Sequence, residues 1–219
     1  MNQANFQAAI FDLDGVIVNT VPIHFRAWEK MFTEYGIPFT FNDYKQKVDG
    51  IPRIDGTKAI LTNLSEEDIL KASHKKQKYF LEFLHEEPIP VFHSTVEFIK
   101  ELKSNNIHTA IISSSKNCHY ILDKAGLLDL FEAEITGNDI TIGKPDPQIF
   151  LMAAEQLKID PTNCVVFEDA VLGVEAGKKA NMKCVGIDRH QDPERLNKAE
   201  IIINDLSEIN FEQVQQLFS

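Results

Sequence analysis

Asp12 and Asp14 lie at the end of the segment Ala8-Ala9-Ile10-Phe11-Asp12-Leu13-Asp14-Gly15. The apolar run reads as a strand buried on both faces, with two carboxylates where it ends. A strand period of two points both acids the same way as the chain leaves the sheet, and Gly15 lets the backbone turn tightly beside them. That pairing suits metal-assisted phosphoryl transfer. One carboxylate can attack phosphorus while holding Mg2+, and the other can move a proton to or from the hydroxyl partner. By itself an Asp-x-Asp pair is also a common strand-ending turn, because Asp hydrogen-bonds nearby backbone. Its position after a hydrophobic strand favours the chemical reading.

Three further segments place polar residues where apolar runs end. Ile111-Ile112-Ser113-Ser114-Ser115-Lys116-Asn117 combines hydroxyls, a cation and the N–H groups of a helix start, a set suited to an anion. Read alone, the same run is a serine-capped helix. Gly143-Lys144-Pro145-Asp146-Pro147 sets one lysine before a proline-stiffened helix start, although a lone lysine is ordinarily a surface residue. Val165-Val166-Phe167-Glu168-Asp169 leaves two acids at a buried strand end, where unpaired charge is costly without a cation or good hydrogen bonds. A divalent metal resolves that cost. Mg2+ takes a few carboxylates plus water and phosphate oxygens, so Asp12, the backbone carbonyl of Asp14, and Asp169 form a workable set.

These segments need elements to position them. Thr109–Ile112, Cys164–Phe167, Cys184–Ile187 and Ile201–Ile203 read as further buried strands. The amphipathic stretches around Phe98–Lys103, Phe150–Leu157 and Val174–Ala180 are long enough for right-handed crossovers. The expected architecture is α/β, a doubly wound parallel-sheet (Rossmann-like) core. Residues from about 20 to 86 look almost wholly helical: Phe25, Trp28, Phe32 and Tyr35 recur at helical spacing, and Glu66–Leu84 follows the cap residue Ser65. The expected domains are a core of residues 1–18 and 92–219 and an inserted helical cap of 19–91, with Pro88 and Pro90 marking the return linker and the cap placed over the site as a lid. Arg189-His190-Gln191-Asp192-Pro193 reads as a loop.

With 219 residues the chain can bury a large core. A net charge of −11 argues against general nucleic-acid or anionic-membrane binding, which need a basic surface. Cys118, Cys164 and Cys184 are odd in number and widely spaced, so reduced thiols are expected. No leader or membrane-length apolar run is evident, and the expectation is a cytoplasmic monomer.

In this order the four segments resemble the haloacid dehalogenase superfamily. That resemblance implies Asp12 as a nucleophile that becomes an aspartyl phosphate, Asp14 as general acid/base, Ser113 and Lys144 as ligands of the transferring phosphoryl group, and Asp169 with Glu168 at the Mg2+ site. In the cap, His24-Phe25-Arg26-Ala27-Trp28 and Gly50-Ile51-Pro52-Arg53 are similar to the β-phosphoglucomutase family, as is Ser113–Asn117 in the core. The likeness implies a small phosphorylated sugar as partner, bound through His24, Gly50, Arg53, Ser113, Ser115, Lys116, Asn117 and Lys144. Arg53 would take the distal phosphate of a bisphosphate with Ser115, Lys116 and Asn117, and His24 would couple cap closure to Asp14. A guanidinium suits that task because its planar fork can hold a phosphate bidentately. Asp49 stands where that family usually carries a lysine, and Pro52 where it carries a small polar residue. The reaction implied is a mutase interconverting β-glucose 1-phosphate and glucose 6-phosphate; the alternative is a phosphatase on the same aspartyl phosphate. A non-enzymatic phosphosugar-binding regulator is a third reading, disfavoured because Asp12, Asp14, Lys144 and Asp169 are all present.

Overall fold

The computed structural model of the protein describes residues 5–48, 51–189 and 191–219. The chain divides into two compact units, Met1–Asn19 with Pro90–Ser219, and Thr20–Ile89.

The first unit is built on six strands: β1 (Ala8–Asp12), β2 (His108–Ile112), β3 (Ala133–Ile135), β4 (Cys164–Glu168), β5 (Lys183–Ile187) and β6 (Ile201–Ile203). All pairings are parallel and the order is β3-β2-β1-β4-β5-β6. The doubly wound α/β fold expected from the pattern is therefore present, and β1 is the strand from which the winding proceeds to either side. In such sheets the carboxyl ends beside that strand form a crevice. Its neighbours are in register, Asp12 beside Ile112 and Phe11 beside Phe167, so the segments that follow β1, β2 and β4 emerge together.

Alternation along these strands makes two cores. Ala8, Ile10, Ala110, Ile112 and Val166 pack with Phe150, Ala153, Ala154 and Val174, which lie on the helices Gln148–Leu157 and Val171–Lys179. On the other face Phe11 stacks on Phe167 with centroids 4.6 Å apart, and Phe98, from the helix His93–Ser104, meets Phe167 edge-on at 5.5 Å. Burying each such ring contributes about 1.5–3 kcal/mol, enough to hold the strand register that carries the site.

One strand, β3, has no counterpart in the sequence reading. It is three residues long with Glu134 at its centre, and it lies at the sheet edge, so it has neither the length nor the continuous apolar character of its neighbours. The three cysteines are buried and free, as reduced thiols require. Among the described residues no helix is long and apolar enough to cross a membrane.

The second unit holds α1 (Val21–Glu34), α2 (Phe41–Lys47), α3 (Arg53–Ile60) and α4 (Glu66–Glu86), and its described residues include no strand. Its core gathers Trp28, Met31, Phe32, Phe39, Tyr44, Ile69 and Ala72, with Trp28 stacked on Phe32 at 5.3 Å. Thr40 and Asp43 form a reciprocal capping box at the start of α2. Ser65 accepts from the Asp68 N–H at the start of α4, the cap its sequence indicates.

Candidate active site

The last residue of β1, Asp12, is only 7% exposed. The chain then turns through Leu13–Val18, closed by hydrogen bonds from Gly15 N to Val18 O (2.9 Å) and from Ile17 N to Leu13 O (2.9 Å). Gly15 takes φ +77, and a Cβ there would fall 1.9 Å from Oδ2 of Asp169. The backbone conformation and the space both require glycine. The two acidic segments, 157 positions apart in numbering, thus meet across a glycine hollow.

Lys144 is the other convergent group. Its Nζ lies 2.5 Å from Oδ1 of Asp12 and also donates to Oε1 of Glu168. Its side chain is 12% exposed. A network around the loop holds it there. Gln148 accepts from the N–H groups of Thr141 and Ile142 (2.9 Å each), Asp146 accepts from Gln148 N (2.9 Å), and Lys179 donates to the carbonyl of Pro145 (3.0 Å). Glu168 is fully buried, and its second oxygen accepts from Ala170 N at 2.8 Å. A Cβ on Gly173 would fall 1.8 Å from Oε1 of Glu168, so the helix Val171–Lys179 carries a glycine where that carboxylate lies against it.

The electrostatics follow from crowding. Burial, reinforced by Glu168 and Asp14 and opposed by Lys144, pushes the Asp12 carboxyl up to about 8. Burial and the charges of Glu168 and Asp12 likewise push Asp169 well above the usual carboxylate range. Burial disfavours the charged form of Lys144, but Asp12 and Glu168 beside it outweigh that and raise its pKa. The acids are short of positive charge. Among the described residues no three His, Cys, Asp or Glu side chains form a metal centre by themselves. What the loop ends offer is two carboxylates, Asp12 and Asp169, and the main chain at Asp14. The largely buried Asp169 carboxylate has no hydrogen-bond or ion-pair partner among the described residues. This donor set fits a hard divalent cation that needs few protein oxygens.

Ser113 directly follows β2 and is 2% exposed. Its Oγ accepts from Ser115 N (3.0 Å), and the Ser115 Oγ accepts from Asn117 N (3.1 Å), winding the loop into the helix Cys118–Ala125. Ser113, Ser115, Lys116 and Asn117 therefore share one loop beside β1, with Lys116 exposed. Cys118 is buried, and burial and then Glu134 push its thiol far up, which disfavours the thiolate.

In the helical unit, His24 stacks on Phe80 with centroids 4.1 Å apart, and its Nδ1 lies 2.8 Å from Nζ of Lys76. Burial and then the Lys76 charge hold His24 well below its ordinary pKa. Lys76 is itself 3% exposed, between the Trp28 and Phe80 rings, whereas Lys75 pairs with Glu34 at 2.7 Å. Arg53 begins α3. Its Nε donates to the Ser73 hydroxyl (3.0 Å) and Nη1 to the Gln77 side-chain oxygen (2.6 Å). Both acceptors are neutral, and among the described residues no carboxylate pairs with it. Arg26 instead is bound to Glu87 at 2.7 Å. Gly50 and Asp49 lie outside the described residues.

The sequence reading did not include Gly173, which lies against Glu168, or Gln148, which braces the Lys144 loop, and it took Arg189 only as part of a loop. Gly173 alone left a local trace, as a glycine inside an otherwise helical stretch.

A buried lysine clasping a strand-end carboxylate at the switch point of a doubly wound sheet defines a class of phosphoryl-transfer enzyme. The haloacid dehalogenase-like hydrolase family matches residues 6–181, and the chain belongs to it. Among its relatives, the β-phosphoglucomutase of Bacillus subtilis (strain 168) is 31% identical over 219 residues, 96% of this chain and 94% of that one. The phosphorylated carbohydrates phosphatase of Thermotoga maritima is 33% identical over 185 residues, 81% of this chain and 82% of that one. The crystal structure of a β-phosphoglucomutase from Clostridium difficile matches with a TM-score of 0.85 at 31% identity, covering 97% of each chain.

Proposed function

We propose that the protein is a Mg2+-dependent phosphosugar mutase that interconverts β-glucose 1-phosphate and glucose 6-phosphate through an aspartyl phosphate on Asp12 and a sugar bisphosphate. The observation that carries this reading is the charge of Arg53. A half-buried guanidinium fixed by two neutral oxygens, with no carboxylate to neutralise it among the described residues, is prepared for an anion. A monophosphate already meets Lys144 and Ser113, so a further built cation speaks for a second phosphate. The relationship to β-phosphoglucomutases over nearly the whole chain supports the same choice.

In this reading the phosphoryl group on Asp12 passes to the 6-hydroxyl of β-glucose 1-phosphate while Asp14 takes the hydroxyl proton. The bisphosphate then presents its 1-phosphate to Asp12. The Asp12 carboxylate attacks phosphorus, the bond to the anomeric oxygen breaks, and Asp14 returns the proton to that oxygen. Lys144 and Ser113 hold the transferring group in line, Arg53 holds the non-reacting phosphate, and Ser115, Lys116 and Asn117 are further phosphate donors. Gly50 and His24 complete the sugar-binding set. Asp12, the Asp14 carbonyl and Asp169, with Glu168 adjoining, would hold Mg2+, which supplies neutralisation of phosphate charge.

The phosphatase alternative has its own support in the Thermotoga maritima relative. Incubation with β-glucose 1-phosphate, Mg2+ and a trace of glucose 1,6-bisphosphate, following glucose 6-phosphate and free phosphate together, separates the two. Stoichiometric glucose 6-phosphate is expected. Release of free phosphate alone would assign the protein to the phosphatases.

A further inference from the structure

Arg189, in the irregular segment after β5, reaches the first acidic loop from the same carboxyl edge of the sheet. Its Nε donates to the main-chain carbonyl of Gly15 at 2.8 Å. Nη1 donates to the carbonyl of Asn204 at 2.9 Å and lies 3.6 Å from the Asp205 carboxylate. The guanidinium rests on the Phe92 ring, 3.7 Å from its centroid. The reaction described above gives this side chain no task.

From this geometry we infer that Arg189 is a positioning residue for phosphoryl transfer, holding the turn that carries Asp14 by clamping the carbonyl of Gly15. The inference rests on the proposed aspartyl-phosphate chemistry. The need for such a clamp arises at the hollow over Gly15. A side chain there would strike Asp169, so glycine is required, and glycine brings the widest backbone freedom of any residue to the position next to Asp14. A loop that must present a proton-transfer group within a few tenths of an ångström cannot keep that freedom. The turn's internal hydrogen bonds employ N–H groups of Gly15, Ile17 and Val18, whereas the Gly15 carbonyl is fixed from outside by a charged donor. Charge-assisted bonds are roughly twice as strong as neutral ones. The donor is in turn immobilised on the other side by Asn204, Asp205 and the Phe92 ring. Arg189 thereby supplies the restraint that the missing Cβ gives up.

Its placement also explains why arginine is used. The fork spans two carbonyls on separate segments while its face lies on an aromatic ring, a combination that a lysine ammonium cannot reproduce. The positive charge also lies within electrostatic reach of Asp169.

The test uses the full chain with Mg2+ and acetyl phosphate, a small phosphoryl donor that does not depend on the sugar. The parent, Arg189→Lys, Arg189→Gln and Asp205→Asn are compared by the rate of Asp12 phosphorylation, by the acetyl phosphate concentration for half-saturation, by calorimetric Mg2+ affinity and by melting temperature. Arg189→Lys should lower the phosphorylation rate about tenfold or more while leaving half-saturation unchanged, and should weaken Mg2+ binding several-fold, because loop geometry rather than charge has been lost. Arg189→Gln, which keeps one N–H for the Gly15 carbonyl, should recover part of the rate. Asp205→Asn leaves the Gly15 bond in place and should stay near the parent. Parent-like rates in Arg189→Lys would overturn the inference, as would a loss in Asp205→Asn equal to that in Arg189→Lys. If both Arg189 variants melt below the assay temperature, the residue is structural and the inference also falls. A parent that takes no phosphoryl group on Asp12 would instead defeat the proposed chemistry.

Discussion

Asp12 is the residue on which the reading of this chain turns, and its surroundings explain why a carboxylate can serve there. It is buried and crowded by Glu168 and Asp14, yet has the Lys144 cation 2.5 Å away. Asp12→Asn should abolish phosphoenzyme formation, since an amide is a poor nucleophile and a weaker metal ligand; a phosphoryl group still trapped on the variant would contradict this. Asp14→Ala should slow transfer by about 10²–10⁴-fold, the usual range for losing a positioned acid/base, without abolishing Mg2+ binding. Unchanged rates across pH would remove Asp14 from that role. Gly173→Ala should push Glu168 off Lys144, because the added Cβ would overlap its Oε1. A destabilisation of about 1–3 kcal/mol, with loss of phosphorylation, is expected from such overpacking and is measured by denaturant unfolding. The acids stood out in the sequence because charge at the end of an apolar run is conspicuous, whereas Lys144, alone an ordinary surface lysine, was singled out by its proline-stiffened segment and the family resemblance. Their pairing did not stand out, because Lys144 and Asp12 are 132 positions apart and no local pattern encodes that contact.

Among the elements, legibility followed periodicity. Helices α1 and α4 of the second unit and five of the six strands were evident because each buries a continuous stripe or run, whereas α2 and α3 were covered only by the general helical character of residues 20–86. β3 was not, since three residues centred on Glu134 at a sheet edge produce no such signal. The two roles of α4 were also hidden: it is the helix that supplies Lys76 to His24 and both Ser73 and Gln77 to Arg53. The His24 environment has a thermodynamic consequence. Burial and Lys76 keep the native imidazole neutral well below its ordinary 6.5, whereas the unfolded chain accepts a proton near that value. Below about pH 6.5 the unfolded state therefore binds more protons, and stability falls as pH falls, by at most about 1.4 kcal/mol per pH unit. Thermal unfolding of the parent and His24→Gln between pH 5 and 7.5 should show a larger acid loss in the parent. Parallel curves would refute the assignment.

For the whole molecule, the order β3-β2-β1-β4-β5-β6 places β1 between the two strands whose ends carry the Ser113–Asn117 loop and the second acid pair. The parallel α/β class could be read from alternating helices and apolar runs. The strand order could not, because it is decided by which side each crossover takes. The choice between mutase and phosphatase belongs to this scale too. Truncating a charge-assisted phosphate contact typically removes about 1.5–3 kcal/mol, so Arg53→Ala should loosen the bisphosphate on the free enzyme and the sugar monophosphate on the phosphoenzyme, lengthening the time the aspartyl phosphate is open to water. Assays across several hexose and pentose phosphates should show loss of isomerisation with hydrolysis of the phosphoenzyme retained. Unchanged isomerisation of every sugar phosphate would remove Arg53 from the distal position.

The Lys144 ammonium, wedged between Asp12 and Glu168, has one more effect. Surface pairs such as Lys198–Glu175, with the lysine 59% exposed, exchange their partners for dissolved ions as ionic strength rises. A counterion tethered by its own backbone and shielded from solvent cannot be exchanged in that way. In the proposed chemistry Asp12 accordingly keeps its compensating charge in dilute and concentrated salt alike, and what ionic strength changes for the reaction is the approach of an anionic substrate to a protein whose net charge is −11. For that approach, added salt screens a repulsion.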